Sequence, residues 1–304
     1  MITLFFETVI RTLLTITQAS WRRIPEKTRF NKLKWVWFYL KWLFLVFIIM
    51  LLIPRRGVIF CALYSWFRPV DDIIDGEDPN PPTCMSDYIT QKDDMIKLFV
   101  DGTLRLENVS GIDRLLVVIQ HFARSIGIAE EIRKYVSIVW KHMVDEYQWR
   151  VNKKIPTSLE LNEFACSQDE AIFRSAALVL GVDGRMLNQI GIDRLGVFTK
   201  TDWISDLVAD LKIGLVHLPR EVCVAASITY PNITFRNATY AGKHSQIRVI
   251  IVEEIQRLDV LWQKVYSKKE ALYLAFTNKI SRIIYVKIMN DFELSFRKIQ
   301  TKYR

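Results

Sequence analysis

Apolar residues recur at helical spacing through most of the chain from about residue 57 onward, with breaks at Gly76 to Pro82, near Gly111, near Gly127, at Lys153 to Pro156 and around Gly181 to Gly184. A three-to-four-residue repeat of apolar positions between such punctuation predicts successive amphipathic helices. The expected spans are 57–75, 87–106, 110–125, 129–150, 157–180, 184–212, 219–228, 244–265, 267–285 and 287–302. The β-prone stretch 229–240 interrupts this series and is expected to be a loop. No internal repeat is visible, so the architecture predicted is a single all-α domain.

The first residues follow a different pattern. An amphipathic stretch from Ile2 to Ala19 leads into a basic segment with Arg22, Arg23, Lys27, Arg29, Lys32 and Lys34. From Trp35 to Ile53 the only charge is Lys41, after which Pro54, Arg55 and Arg56 close the run. A run close to the ~20 residues of a bilayer span permits a transmembrane helix. Lys41 divides it, however, and interfacial attachment beside the basic segment is the stronger expectation. The reading is a membrane-associated protein on the cytoplasmic side, with a single N-terminal span as the alternative.

Composition supports a helical core and narrows the partners. Half of the residues are hydrophobic and only 11 are Gly, few for the turns of a many-stranded fold. The four Cys, at 61, 84, 166 and 223, have no zinc-like or disulfide-like spacing. A formal charge of +9 points to an anionic partner, either a membrane surface or a phosphorylated substrate. Nucleic acid is not expected, because the aromatic residues sit in apolar runs and no basic recognition motif accompanies them.

Two acidic clusters carry the candidate chemistry. In ALYSWFRPVDDIIDGE, Asp71 and Asp75 lie four residues apart, which on a helix sets both carboxylates on one face roughly 6 Å apart. Acidic groups at a helix C-terminus oppose the helix dipole unless a cation compensates. In KTDWISDLVADLKIGLVHLP, Asp202, Asp206 and Asp210 fall at i, i+4 and i+8. Like charges at that spacing repel, so an unliganded stack is disfavoured. Carboxylates without His or Cys select Mg²⁺ (or Mn²⁺) over zinc, and Mg²⁺ is commonly completed by water and phosphate oxygens.

At these residues the sequence resembles the squalene and phytoene synthase family, the head-to-head trans-isoprenyl diphosphate synthases. Ala62, Tyr64, Arg68, Asp71 and Asp75 fall on its first aspartate motif, behind a Pro-Arg-Arg element at 54–56. Lys200, Thr201, Asp206, Asp210, Gly214 and Pro219 fall on its second, and Val144-Asp145 resembles an intervening Met-Asp element. The resemblance runs from residue 44 to about 285, with residues 1–43 as a membrane-associating extension and 44–304 as the helical domain. It implies an isoprenoid-synthase-like bundle around a central cavity, and Mg²⁺-dependent condensation of two farnesyl or geranylgeranyl diphosphates to a squalene-like or phytoene-like product of isoprenoid or carotenoid biosynthesis. Asp71, Asp75, Asp206 and Asp210 would be metal ligands with Asp202 as an extra or substituted one. Arg68, Lys200, Lys212 and Arg56 would contact diphosphate. Tyr64 would either line the cavity or be a core aromatic.

The chain departs from the family pattern at several of these places. Asp202 stands for Asn, Ser205 and Leu215 stand for two phosphate-facing Arg residues, and Phe44-Leu45-Val46 stands for a Ser-Phe-Tyr-like element. The fifth helix, FACSQDEAIFRSAALVLG, lacks the usual Tyr and Val-Ala-Gly features. Pro69 is expected to kink the first acidic helix. His217 replaces an aromatic residue and is either structural, the commoner role of a lone His, or a proton or phosphate contact. These departures keep two further readings open: a catalytically degenerate relative used for membrane-bound assembly or binding, and a single-span membrane protein without a ligand.

Overall fold

The computed structural model describes residues 8, 10, 11, 53–76, 78, 80–191, 194–225, 239–276 and 278–303. Nearly all of the N-terminal extension, of the candidate span and of the 229–240 loop lies outside them, as do Phe44 to Val46. Among the described residues there are helices and turns, no strand, and one isolated β-bridge between Val182 and Phe276. None of these helices is long and apolar enough to cross a membrane. Contacts divide the chain into two compact units, Met1–Ser137 and Ile138–Arg304.

In the first unit, α1 (Pro54–Ile74) opens on a proline at its first turn, where the missing N–H costs no hydrogen bond. Ala62, Trp66, Val70 and Ile74, one turn apart, are buried, and the helix packs chiefly on α3 (Arg114–Ser125) through the latter's Leu115, Leu116, Ile119 and Ala123. The helix continues through Pro69 to Ile74. Between them comes α2 (Met85–Val100), followed by two short 3₁₀ turns at Leu106–Asn108 and Gly111–Asp113. The expected 87–106 helix ends early because Gly102 takes a φ of 74°, and the N–H of Thr103 closes back on the Leu98 carbonyl at 2.9 Å.

One buried ion pair fastens this unit. Lys92 of α2, only 4% exposed, places Nζ 2.5 and 2.6 Å from the two carboxylate oxygens of Asp113, and the indole N–H of Trp66 in α1 donates to Asp113 Oδ1 at 3.0 Å. Removing one partner of a buried pair strands the other charge. Lys92→Met is expected to cost about 2–3 kcal/mol in urea unfolding, below the usual range because Asp113 keeps the Trp66 donor. Adding Asp113→Leu should recover part of that loss.

Helix α4 (Ala129–Val151) contains the division between the units. The second unit continues with α5 (Ser158–Val179), α6 (Gly184–Ile190), α7 (Val197–Ile213), α8 (Arg220–Ala225), α9 (Thr239–Ala275) and α10 (Lys279–Tyr303). A capping box starts α5: the Thr157 hydroxyl accepts from the Glu160 N–H, and the Glu160 carboxylate accepts from the Thr157 N–H at 2.7 Å. The expected helix 184–212 is two helices, since Gly191 closes α6 in the left-handed conformation and α7 starts only after Gly196. The expected helices 244–265 and 267–285 are instead one long α9 that runs through Ser267 to Ala275, and α10 begins at Lys279. Helix α7 packs against α5, α9 and α10 around a core that includes Phe173, Phe198, Trp262 and Phe296.

Candidate metal and diphosphate site

Helix α7 has no capping side chain of its own at its start, where Gly196 has a φ of 63°. A Cβ at Gly196 would lie 3.0 Å from Ala165 Cβ and 3.1 Å from Cys166 N, so the bare glycine lets the chain lie directly on α5. The cap comes from α5 itself. Asp169, fully buried, accepts from the N–H of Phe198 at 3.0 Å, and from the N–H and hydroxyl of Thr199 at 2.9 and 2.7 Å. Burial pushes the Asp169 carboxyl up to about 7 against the opposing pull of these donors. Further along, the Thr201 hydroxyl donates to the Val197 carbonyl and accepts from the Trp262 indole at 3.2 Å, fixing the rotation of the helix about its axis.

That rotation buries Trp203, Ile204 and Leu207 and turns Asp202 and Asp206 to the exposed side, with Asp210 partly covered. The expected alignment of these carboxylates along one helix flank is therefore present, although Asp210 has a different environment from the other two. Its Oδ2 lies 3.0 Å from His217 Nδ1, while His217 Nε2 lies 2.9 Å from Glu146 Oε1 of α4. The imidazole is 3% exposed and stacks on Trp203 at 4.4 Å between ring centroids. Each ring nitrogen faces a carboxylate oxygen, so both act as donors and the ring is an imidazolium. Burial alone would lower its pKa, but hydrogen bonds to Asp210 and Glu146, and their negative charge, raise it to about 9. His142, one turn before Glu146 on α4, contrasts with it: stacked on Phe164 at 4.3 Å, it is driven by burial down to about 4 and stays neutral.

Beside α7 a pocket of about 230 Å³ is lined by Leu161, Trp203, Ile204, Leu207, His217, Leu218 and Ile251. Lys200 also lines it, and its ammonium donates to Asn162 Oδ1 at 2.9 Å. None of Asp202, Asp206 and Asp210 lines this pocket. Lys212 belongs to α7, but its side chain lies outside the described residues.

In the first unit, Asp71 and Asp75 are both partly exposed at the end of α1, and the Asp75 N–H closes the last turn on the Asp71 carbonyl at 2.8 Å. Arg68 is shared by Asp71 at 3.3 Å and by the buried Asp72 at 2.5 Å. Asp72 thus points inward and holds the arginine. Tyr64 is 45% exposed, which removes the core-aromatic reading. Arg56 is partly buried, and desolvation lowers its guanidinium pKa from the ordinary value. Among the described residues no group of three or more His, Cys, Asp or Glu side chains is placed to hold a metal ion.

Two functionally placed residues escaped the sequence reading. Asp169 lies in the apolar stripe Leu161, Ala165, Phe173 and Ala177, a carboxylate where the helical repeat calls for an apolar residue, and that mismatch was a readable signal. Glu146 follows Val139 and Met143 on α4 in the same way.

No protein-family model matches the chain, and no curated protein does. In fold the chain is similar to squalene synthase HpnC from Alicyclobacillus acidocaldarius, with a TM-score of 0.57 over 84% of this chain and 88% of that one, at 14% sequence identity. The fold is thus all-α and isoprenoid-synthase-like, as the sequence led us to expect.

Proposed function

We propose that this chain is a Mg²⁺-dependent prenyltransferase that joins two prenyl diphosphates, farnesyl or geranylgeranyl, head to head. The reading rests chiefly on one observation: a chain with the fold of a squalene synthase carries two helices, α1 and α7, with carboxylates one turn apart. The donor set suits the ion. Asp202 and Asp206 offer hard oxygens from an exposed helix flank, and Asp71 and Asp75 do so from the end of α1. Mg²⁺ is typically held by one or two carboxylates with water and phosphate oxygens, so the want of a protein-only cluster does not count against it. When bound, Mg²⁺ supplies charge neutralisation for a departing diphosphate. Arg68 and Lys200 add positive charge, Arg68 while shared with two aspartates and Lys200 while held by Asn162. The N-terminal basic and apolar segment would keep the protein at a membrane surface, from which such water-insoluble chains are drawn.

A second reading, a relative that binds but no longer turns over, is favoured by the engagement of Arg68 with Asp71 and Asp72, and by Ser205 and Leu215 where the family pattern has arginines. Incubation of the full chain with Mg²⁺ and C15 or C20 prenyl diphosphates, followed by diphosphate assay and mass spectrometry, separates the two. Enzymatic action predicts diphosphate release and a C30 or C40 hydrocarbon, with turnover reduced about 10²-fold or more by Asp71→Ala or Asp206→Ala. Metal-dependent binding without product would establish the second reading. Neither binding nor release would end both.

A further inference from the structure

Two guanidiniums converge in the first unit with no carboxylate holding either of them. Arg124 lies in the last turn of α3 and Arg133 in the second turn of α4, and both reach the turn at Gly102 that follows α2. Gly102 is left-handed, with a φ of 74°, and a Cβ there would fall 2.8 Å from Arg124 Nη2 and closer still to Arg133 Nη1. The two nitrogens are therefore less than about 6 Å apart, a distance at which like charges repel appreciably at a protein surface. Arg124 donates to the Gly102 carbonyl, its one bond among the described residues. Arg133 makes no hydrogen bond or ion pair among them, and its Nε–H is buried without an acceptor. Asp101, beside the turn, and Glu130, one turn before Arg133, are exposed and pair with neither arginine.

An anion between the guanidiniums relieves their repulsion, and the donors select its kind. A carboxylate presents its two oxygens to one guanidinium fork. A phosphate monoester has a third oxygen and additional negative charge for the second fork. We propose that Arg124 and Arg133 form a binding site for a phosphate monoester group, carried by a membrane lipid or by a soluble molecule. Neither arginine is among the residues assigned to metal or prenyl diphosphate, so the site does not depend on that reading. It gives part of the +9 formal charge a defined partner.

The test uses the full chain without added divalent ions, so that metal-borne diphosphate does not enter the readout. Calorimetric titration with inorganic phosphate probes the soluble source, and flotation with phosphatidylcholine vesicles, with and without phosphatidic acid, probes the lipid one. Arg133→Gln is expected to weaken binding about 10-fold or more, and Arg133→Lys, which keeps the charge but loses the fork, should recover only part of it. Because Arg133 makes no bond among the described residues, the Gln variant should unfold no earlier than the wild type when phosphate is absent. It should also lack the upward shift in Tm that a bound phosphate gives the wild type. Weakening in calorimetry alone identifies a soluble phosphate, in flotation alone a lipid one, and in both a site open to either. Equal binding of wild type and Arg133→Gln in both arms would overturn the site. So would a loss confined to flotation that recurs on phosphatidylserine vesicles of equal charge, since that marks general attraction to an anionic surface.

Discussion

Replacing Asp169 with Ala is expected to lower the unfolding free energy by about 2–4 kcal/mol, measured by urea denaturation. The substitution strands three donors at once, the N–H groups of Phe198 and Thr199 and the Thr199 hydroxyl, at positions 1% and 7% exposed. Each buried donor left without an acceptor costs about 1–3 kcal/mol, and entry of a water into the space offsets part of the sum. Asp169→Asn should fall between wild type and Ala, because its amide nitrogen must face one of the same donors. Hydrogen exchange at Phe198 and Thr199 should accelerate in both variants before other amides of α7. Unchanged protection at those two amides would show that the cap contributes nothing.

The second large effect concerns His217. His217→Ala leaves Glu146 and Asp210 facing a buried void with no cation between them, and breaking a buried pair in this way typically costs about 3–5 kcal/mol. The same group makes wild-type stability fall in alkali. With a folded pKa of about 9 against an ordinary 6.5, its contribution is complete below pH 6.5 and disappears as pH rises through about 9. The total is on the order of 3 kcal/mol. Asp169, raised to about 7, also loses stability with rising pH, but only between about 4 and 7, and His142 acts in the opposite sense between 6.5 and about 4. The interval from pH 7 to about 8 is therefore dominated by His217, since the buried thiols of Cys61 and Cys223, raised by burial to about 12 and about 11, begin to lose stability only nearer the ordinary thiol range. The urea midpoint should decline across it in the wild type and stay level in His217→Gln; a decline of equal slope in both would assign the effect elsewhere.

Much of the helical order was legible because its signals are local. The repeat of apolar positions placed α1, α4 and α5 within a few residues of where they lie, and the Asp202, Asp206 and Asp210 spacing gave the flank they share. The errors arose where local signals were weak or ambiguous. Gly191 and Gly196 each sat inside a plausible helical pattern, and only the left-handed turn at Gly191 and the close approach to α5 show why the chain must stop there. Conversely, one helix was expected to end at 265 and another to start at 267, yet packing of α9 against α7 and α10 carries the helix through. The environments of individual site residues depended on longer-range partners. Nothing local to Asp210 announces its contact with His217, whose other ring nitrogen reaches Glu146, 71 positions away. Likewise, the sharing of Arg68 with Asp72, one turn on and buried, is not visible in the spacing alone.

The Lys92 and Asp113 contact also bears on how the first unit responds to heat. Hydration of isolated charges becomes less favourable on warming, so the desolvation penalty already incurred in enclosing that ammonium and carboxylate shrinks as temperature rises. The gain from apolar packing between α1 and α3 levels off over the same range. Relative to its surroundings, then, the stitch that joins α2 to Trp66 tightens in the warm and slackens in the cold.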